Sequence, residues 1–383
     1  MREKEMTAHV ASVGADAGQS PQNICIDSIA HTKEKINVFH QIYEADERNF
    51  PLSKNSRKLK TVTKEELYGK VFDATVPIIE GVLYPGTYLF AGPAKVGKSF
   101  LMAQLAYHVS TGLPLWGYSV RKGTVLYLAL EDDYARLQRR LYRMFGVEST
   151  SDLHLATEAK GIDNGFEEQI KEFYEKYPDT KLIIIDVLQR VRELGGKDYS
   201  YASDYEIIAK LKKLVDGTGI ALLIVHHTRK QQSDDIFDMI SGTNGLMGAA
   251  DGAFIISKEK RTGDGAVIDL VGRDQPDQKL YLKRSAKTLV WELEKAENEL
   301  WIEPSDPFLE EISRLLSVEN SIWQGTPTAL SIVLGGEIKA NVLTMKLNIN
   351  AGRLRKEYGI LYKHKRGHGG RKIQLVLEEN RKM

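Results

Sequence analysis

The stretch Tyr88-Leu-Phe-Ala-Gly92-Pro93-Ala94-Lys95-Val96-Gly97-Lys98-Ser99-Phe100 decides the fold. An apolar run leads into a glycine-bounded loop of the pattern GxxxxGK[ST], and a helical period from Phe100 to Ser110 follows, ending at Gly112 with Pro114 beyond it. Strand, loop and helix in that order are what phosphate binding requires. Gly92 and Gly97 let the backbone wrap an anion, so that successive N–H groups and the helix N-terminus face it. Lys98 is expected to reach the β- and γ-phosphates, and the Ser99 hydroxyl to ligate Mg²⁺. Residues Gly92 through Phe100 are therefore the expected nucleotide cradle, with ATP and Mg²⁺ as cofactors.

Outward from this loop the pattern repeats. The apolar runs Thr87 to Ala91, Val125 to Leu130, Leu182 to Ile185, Ala221 to Val225 and Ala253 to Ile256 alternate with helical stretches at Asp132 to Phe145, Glu167 to Lys176 and Asp204 to Val215. Continuous β-branched runs spaced this way predict strands covered on both faces, hence an α/β fold with a parallel sheet flanked by helices. Beyond Ala253 the runs Ala266 to Val271, Leu280 to Leu282 and Thr288 to Leu293 have no helices between them, which predicts an antiparallel extension.

The ends read differently. Residues 1–60 form a polar leader expected to be mobile, although Thr63 and Glu66 fit a capping box just after it. A change of character near Pro304 to Pro307 divides the ATPase-like body, 61–304, from a C-terminal domain, 305–383. There, helices are expected at Phe308 to Leu316, Pro327 to Val333 and Val342 to Tyr358. Two strands follow, Ile360 to Tyr362 and Ile373 to Leu377, joined by a basic glycine-rich loop. This order looks like a winged helix, with Lys346, Arg353, Arg355 and Lys356 on a recognition helix for duplex DNA.

Net charge hides this division. The chain of 383 residues carries +1, from 53 Lys plus Arg against 52 Asp plus Glu. Residues 337–383 alone hold 12 basic against 4 acidic side chains, a surplus of +8, so the remainder stands at −7. Such asymmetry points to nucleic acid. No apolar run reaches the roughly 18 residues of a spanning helix, and the N-terminus lacks a signal pattern, so no membrane partner and a cytoplasmic location are expected. The single Cys25 excludes an internal disulfide framework.

Three further strand ends carry candidate chemistry. Asp186 closes Leu182-Ile-Ile-Ile-Asp186 at the carboxyl edge, where ligands bind in open α/β sheets, and is the expected second Mg²⁺ group. Val187 follows it, so there is no Asp-Glu pair to activate water. Glu131, at the end of Tyr127-Leu-Ala-Leu-Glu131, is the candidate base; the bland alternative is that Glu131 to Asp133 only cap the next helix. His226-His227 ends the fourth apolar run. Neighbouring strand residues point to opposite faces, so the pair suits a γ-phosphate sensor, with His227 preferred, better than a metal site.

The order GPAKVGKS, VLYLALEDD, LIIID and LLIVHHTRK resembles the RecA-fold ATPases of the plasmid replicative helicase RepA type, relatives of the DnaB-type hexameric helicases, over about Gly81 to Glu294. That resemblance implies Glu131 as catalytic base, Asp186 as the Mg²⁺ carboxylate and a histidine after the fourth strand. It also implies a hexameric ring with single-stranded DNA in its channel and a basic residue supplied by the neighbouring subunit. Lys258, Lys260 and Arg261 are candidates for the latter, offset by one place from the family's Lys-x-Arg spacing, with Arg273 as the alternative. Ser233 to Gly248 resembles the DNA-facing loop of such motors. The function so implied is that of an ATP-driven DNA helicase or replication protein of a plasmid, phage or other mobile element. The other readings are a DNA-binding regulator or recombination accessory whose ATPase is a switch, and, third, a small-molecule kinase.

Overall fold

The apolar runs around the phosphate loop become the centre of a nine-stranded sheet in the computed structural model, which describes residues 59, 61–72, 74–192, 201–228, 244–258, 263–273, 275–298, 305–367 and 370–378. Two compact units are distinguished, Met1–Leu67 and Tyr68–Met383. In the first, the Thr63 N–H donates to Glu66 Oε2 (2.7 Å) and the Glu66 N–H to Thr63 Oγ1 (3.1 Å), closing the expected capping box at the start of helix α1, Lys64–Tyr68.

The second unit begins its sheet with β1, Gly86–Gly92, followed by α2, Lys98–Thr111. Then come β2 (Thr124–Ala129), α3 (Tyr134–Phe145), β3 (Leu153–Ala156), α4 (Glu167–Lys176), β4 (Thr180–Asp186), α5 (Tyr201–Val215) and β5 (Ala221–His227). Short helix α6 (Asn244–Ala249) leads to β6 (Gly252–Ser257), β7 (Gly265–Gly272), β8 (Gln275–Arg284) and β9 (Trp291–Asn298). The order is β3-β2-β4-β5-β1-β6-β7-β8-β9, parallel from β3 to β6 and antiparallel from there to β9.

Burial on both faces explains why each inner strand is apolar throughout. Tyr88, Phe90, Tyr127, Ile184 and Leu223 face one way, into a core completed by Leu101, Met102, Leu105 and Val109 of α2 and Leu137 and Met144 of α3. Leu89, Leu126, Ile183, Ile185 and Ile224 face the other, against Ile170 of α4, Ile208 and Leu211 of α5 and Leu246 of α6. Both faces are covered, as parallel sheets require.

Edge strand β3 adds to the strands expected from sequence. It is four residues long, pairs only with β2 and is half-buried, so it lacks the apolar run that marks the inner strands. Helix α3 begins at Tyr134 rather than Asp132, because the Asp133 side chain accepts from the Arg136 N–H (2.7 Å) as N-cap. The antiparallel strands are longer than their apolar runs, since alternation with exposed polar residues extends them.

From Pro307 the chain has a core of its own, built from Phe308, Leu309, Ile312, Leu330, Leu343, Leu347, Leu354, Ile360, Tyr362, Ile373 and Leu375. Its elements are α7 (Pro307–Arg314), β10 (Ile322–Gly325), α8 (Pro327–Val333), α9 (Ala340–Ile349), α10 (Ala351–Tyr358), β11 (Ile360–Gly367) and β12 (Gly370–Leu377). The strands form a sheet in the order β10-β12-β11. Strand β10 is a further addition, and the single helix expected over 342–358 is broken. At Asn350 (φ −98°, ψ 12°) the side-chain amide donates to Lys346 O (3.0 Å), competing with the helical ladder and ending α9. No described helix is long and apolar enough to cross a membrane.

Candidate functional site

Parallel register brings the sequence candidates to one edge of the sheet. Gly92 ends β1 opposite His227, which ends β5; Asp186 ends β4 opposite Ala129 of β2, two residues before Glu131. Gly92 admits no side chain, because a Cβ there would meet Ile256 Cγ2 at 2.5 Å and Ile256 O at 2.7 Å. Gly97 starts α2 with φ 112°, a conformation glycine takes without steric cost, and its missing Cβ leaves room for the Trp291 ring.

Lys98 turns back into the loop. Its ammonium donates to Gly92 O (2.7 Å) and Pro93 O (3.0 Å) and lies 3.2 Å from His227 Nδ1. Burial pushes its pKa down to about 8, against the opposing pull of Asp186 and Glu131. Burial, and after it the Lys98 charge, holds His227 below the usual imidazole range, so the ring is neutral at pH 7 and Nδ1 accepts.

Asp186 is buried beside Ser99 and Tyr127. The Tyr127 hydroxyl donates to Asp186 Oδ2 (2.9 Å). Burial raises the Asp186 carboxyl, and hydrogen bonds from the Ser99 and Tyr127 hydroxyls and the Lys98 charge oppose that rise. Ser99 and Asp186 therefore adjoin, one hydroxyl and one carboxylate, the donor set that suits a Mg²⁺ ion completed by phosphate oxygens and water. Among the described residues no group of three or more His, Cys, Asp or Glu is placed to hold a metal by protein ligands alone.

Glu131 is half-exposed at the same edge, with Arg190 Nε 3.9 Å from its Oε1. Its neighbours do other work: Asp133 caps α3, and Asp132 makes a two-pronged pair with Arg140 (2.6 and 3.2 Å). Capping thus accounts for Asp133 and leaves the Glu131 carboxylate facing the phosphate-loop edge.

Residues 54–233 match a family model described as an AAA domain. Two solved structures resemble the chain at 14% identity each. One, described as the ATPase domain of a single protein, covers 68% of this chain and 97% of its own with a TM-score of 0.48. The other, "The Structure Of A DnaB-Like Replicative Helicase And Its Interactions With Primase", covers 54% of this chain and 57% of its own with a TM-score of 0.45. No curated protein matches.

Some site residues have no motif to announce them. Tyr127 is legible only as part of a strand; a lone phenol in an otherwise aliphatic inner strand, a few positions before the edge, is the signal that could find it. Arg190 is a single base in the loop after β4. Trp291 is brought in by β9: its backbone N–H donates to Gln104 Oε1 (2.7 Å), and its carbonyl accepts from Gln104 Nε2 (2.8 Å) and Trp116 Nε1 (2.7 Å). This bracket fastens the phosphate-loop helix to the antiparallel extension. Phe100 lies between the guanidinium groups of Arg140 (5.0 Å) and Arg284 (5.7 Å).

The candidates for a basic group donated between subunits are dispersed. Lys258 follows β6 at the phosphate-loop edge and donates to Gly263 O (3.1 Å). Arg273 is at the opposite end of the sheet, 3.8 Å from Asp251, whose Oδ2 accepts from the Thr87 N–H at the start of β1. Lys260 and Arg261 lie outside the described residues, as do 1–58 and 60 of the leader and 233–243 of the segment Ser233 to Gly248.

Proposed function

We propose that this chain is a Mg²⁺-dependent ATPase of the RecA fold that works as a DNA motor, a hexameric replicative helicase or replication protein of a mobile element. The observation that carries the ATPase reading is the meeting of Lys98, Ser99, Asp186, Glu131 and His227 at the carboxyl edge of β1, β2, β4 and β5. The order of motifs, GPAKVGKS through LLIVHHTRK, supports the motor reading. The C-terminal order helix, strand, helix, helix pair and two-stranded hairpin supports a winged-helix DNA-binding domain.

Gly92 through Phe100 hold the triphosphate through backbone N–H groups, and Lys98 leaves its loop carbonyls for the β- and γ-phosphates. Ser99 and Asp186 hold Mg²⁺, which screens charge developing on the phosphates. Glu131 orients the attacking water and accepts its proton, while Tyr127 fixes the Asp186 carboxylate. His227 changes partner when Lys98 moves and passes nucleotide state to the segment after β5. Lys260 or Arg261 of a neighbouring subunit completes the site.

ATP turnover with and without single-stranded DNA, combined with strand displacement on a forked duplex and light scattering, tests the reading. DNA-stimulated turnover, displacement and a ring-sized particle are expected. Turnover by a monomer that displaces no strand overturns the motor and leaves a DNA-binding regulator with an ATPase switch.

A further inference from the structure

The basic residues expected to read DNA from the last long helix are occupied within the chain. On α10, Arg353 Nε donates to Glu357 Oε1 (2.7 Å), Arg355 makes two 3.0 Å bonds to the Glu378 carboxylate, and Lys356 is 3.7 Å from Glu80. On α9, Lys346 lies over the Phe308 ring at 5.0 Å. The acids come from α10 itself, from the segment after β12 and from the segment before β1. A helix whose cations already face carboxylates offers a polyanion little net charge.

The hairpin β11–β12 is arranged the opposite way. Its register sets Lys365 opposite Lys372, a like-charged cross-strand pair, and the next register position again matches two basic residue types, Arg366 and Arg371. Like charges directly opposed destabilise a sheet, and nothing in the folding of this hairpin requires them. Alternation assigns the faces. Ile373 and Leu375 are buried, so Arg371 shares the inner side, and its charge reaches His364, whose pKa falls through burial and then Arg371. Lys365 and Lys372 are exposed on the outer side. On the inner side Arg371 lines a polar cleft of about 510 Å³ with Thr326 and Thr328 beside α8 and Asn341 of α9. A guanidinium, two hydroxyls and an amide at one cleft, with two ammonium groups on the other side of the same hairpin, supply donors for successive phosphates of a nucleic-acid backbone.

We infer, on the DNA-binding reading above, that duplex DNA is held by the β11–β12 hairpin and the cleft beneath Arg371, and that α10 does not read it. The occupant is duplex DNA, gripped through its phosphates.

The test is the salt dependence of binding of a 30-base-pair duplex to the full chain without nucleotide. Lys365→Thr, Arg371→Gln and Lys372→Thr together are expected to make the slope of log K against log salt shallower by about 2.7, from roughly 0.9 per lost phosphate contact. The same variant melts at the wild-type temperature or above it, because a like-charged pair is gone. Arg355→Gln with Lys356→Gln leaves the slope unchanged. If the hairpin variant keeps the wild-type slope while the α10 variant loses it, the face is wrong and the DNA-binding reading stands. A wild-type chain with no salt-dependent duplex binding overturns that reading and this inference together. Should the triple variant fold poorly, Lys372→Thr alone is expected to change the slope by about 0.9, and no change counts against the hairpin.

Discussion

The carboxyl edge of the nine-stranded sheet and the three-stranded C-terminal sheet treat charge in opposite ways. At the first, Lys98 and Asp186 are buried, each held by a few directed hydrogen bonds, and their titrations are displaced by desolvation. At the second, the cations are at or near the surface, neutralised by carboxylates on α10 and concentrated by like-charge register on the hairpin. A few buried charges make a chemical site because low dielectric strengthens each interaction; many exposed charges make a sticky surface whose grip depends on salt.

The sharpest way to break this comparison is at Glu131. Glu131→Gln is expected to bind ATP normally and to lose about 10²- to 10⁴-fold in kcat, measured by steady-state turnover beside equilibrium nucleotide binding. Turnover that survives removes Glu131 from the site. Next in size is the Trp291 bracket. Trp291→Ala empties the space beside Gly97 and loosens the backbone that Gln104 grips, so a loss of about 3–5 kcal/mol in unfolding free energy is expected by denaturant titration. A loss near zero would mean that the antiparallel extension does not brace the phosphate loop.

A pH profile tests the buried charge itself. Lys98 in the free protein loses its proton around pH 8, and bound phosphates stabilise the ammonium, so binding takes up a proton above that pH. Affinity for a non-hydrolysable ATP analogue should therefore be flat below pH 8 and fall by up to about tenfold per pH unit above it. A profile flat to about pH 10, the ordinary lysine range, would mean that Lys98 stays charged in the free protein. The smallest effect belongs to the C-terminal surface: Arg355→Ala, which breaks an exposed pair with Glu378, should change stability by about 1 kcal/mol or less in thermal melts. A larger loss would show that α10 pairing is structural as well as neutralising.

Legibility follows the same division. The strand ends Gly92, Asp186 and His227 could be aligned from sequence because parallel strands of similar length, each followed by a connection to the next, deliver their carboxyl ends to one edge. Glu131 could be placed for the same reason. Tyr127 could not, since nothing in an inner-strand position tells whether a phenol meets a carboxylate or a leucine. Trp291 lies 194 residues beyond Gly97, and only the closing of β7 to β9 against β6 brings it there. The break at Asn350 had a local signal, two asparagines and a glycine between apolar positions, yet the apolar period ran through it.

The sequence by itself determined the phosphate loop, the parallel order of the sheet and the location of excess positive charge, because those depend on residue type, spacing and period over a few tens of residues. Only the tertiary structure decided which cations are available. Arg355 meets Glu378 and Lys356 meets Glu80 across separations of 23 and 276 positions, distances at which charge counting has no geometry to work with.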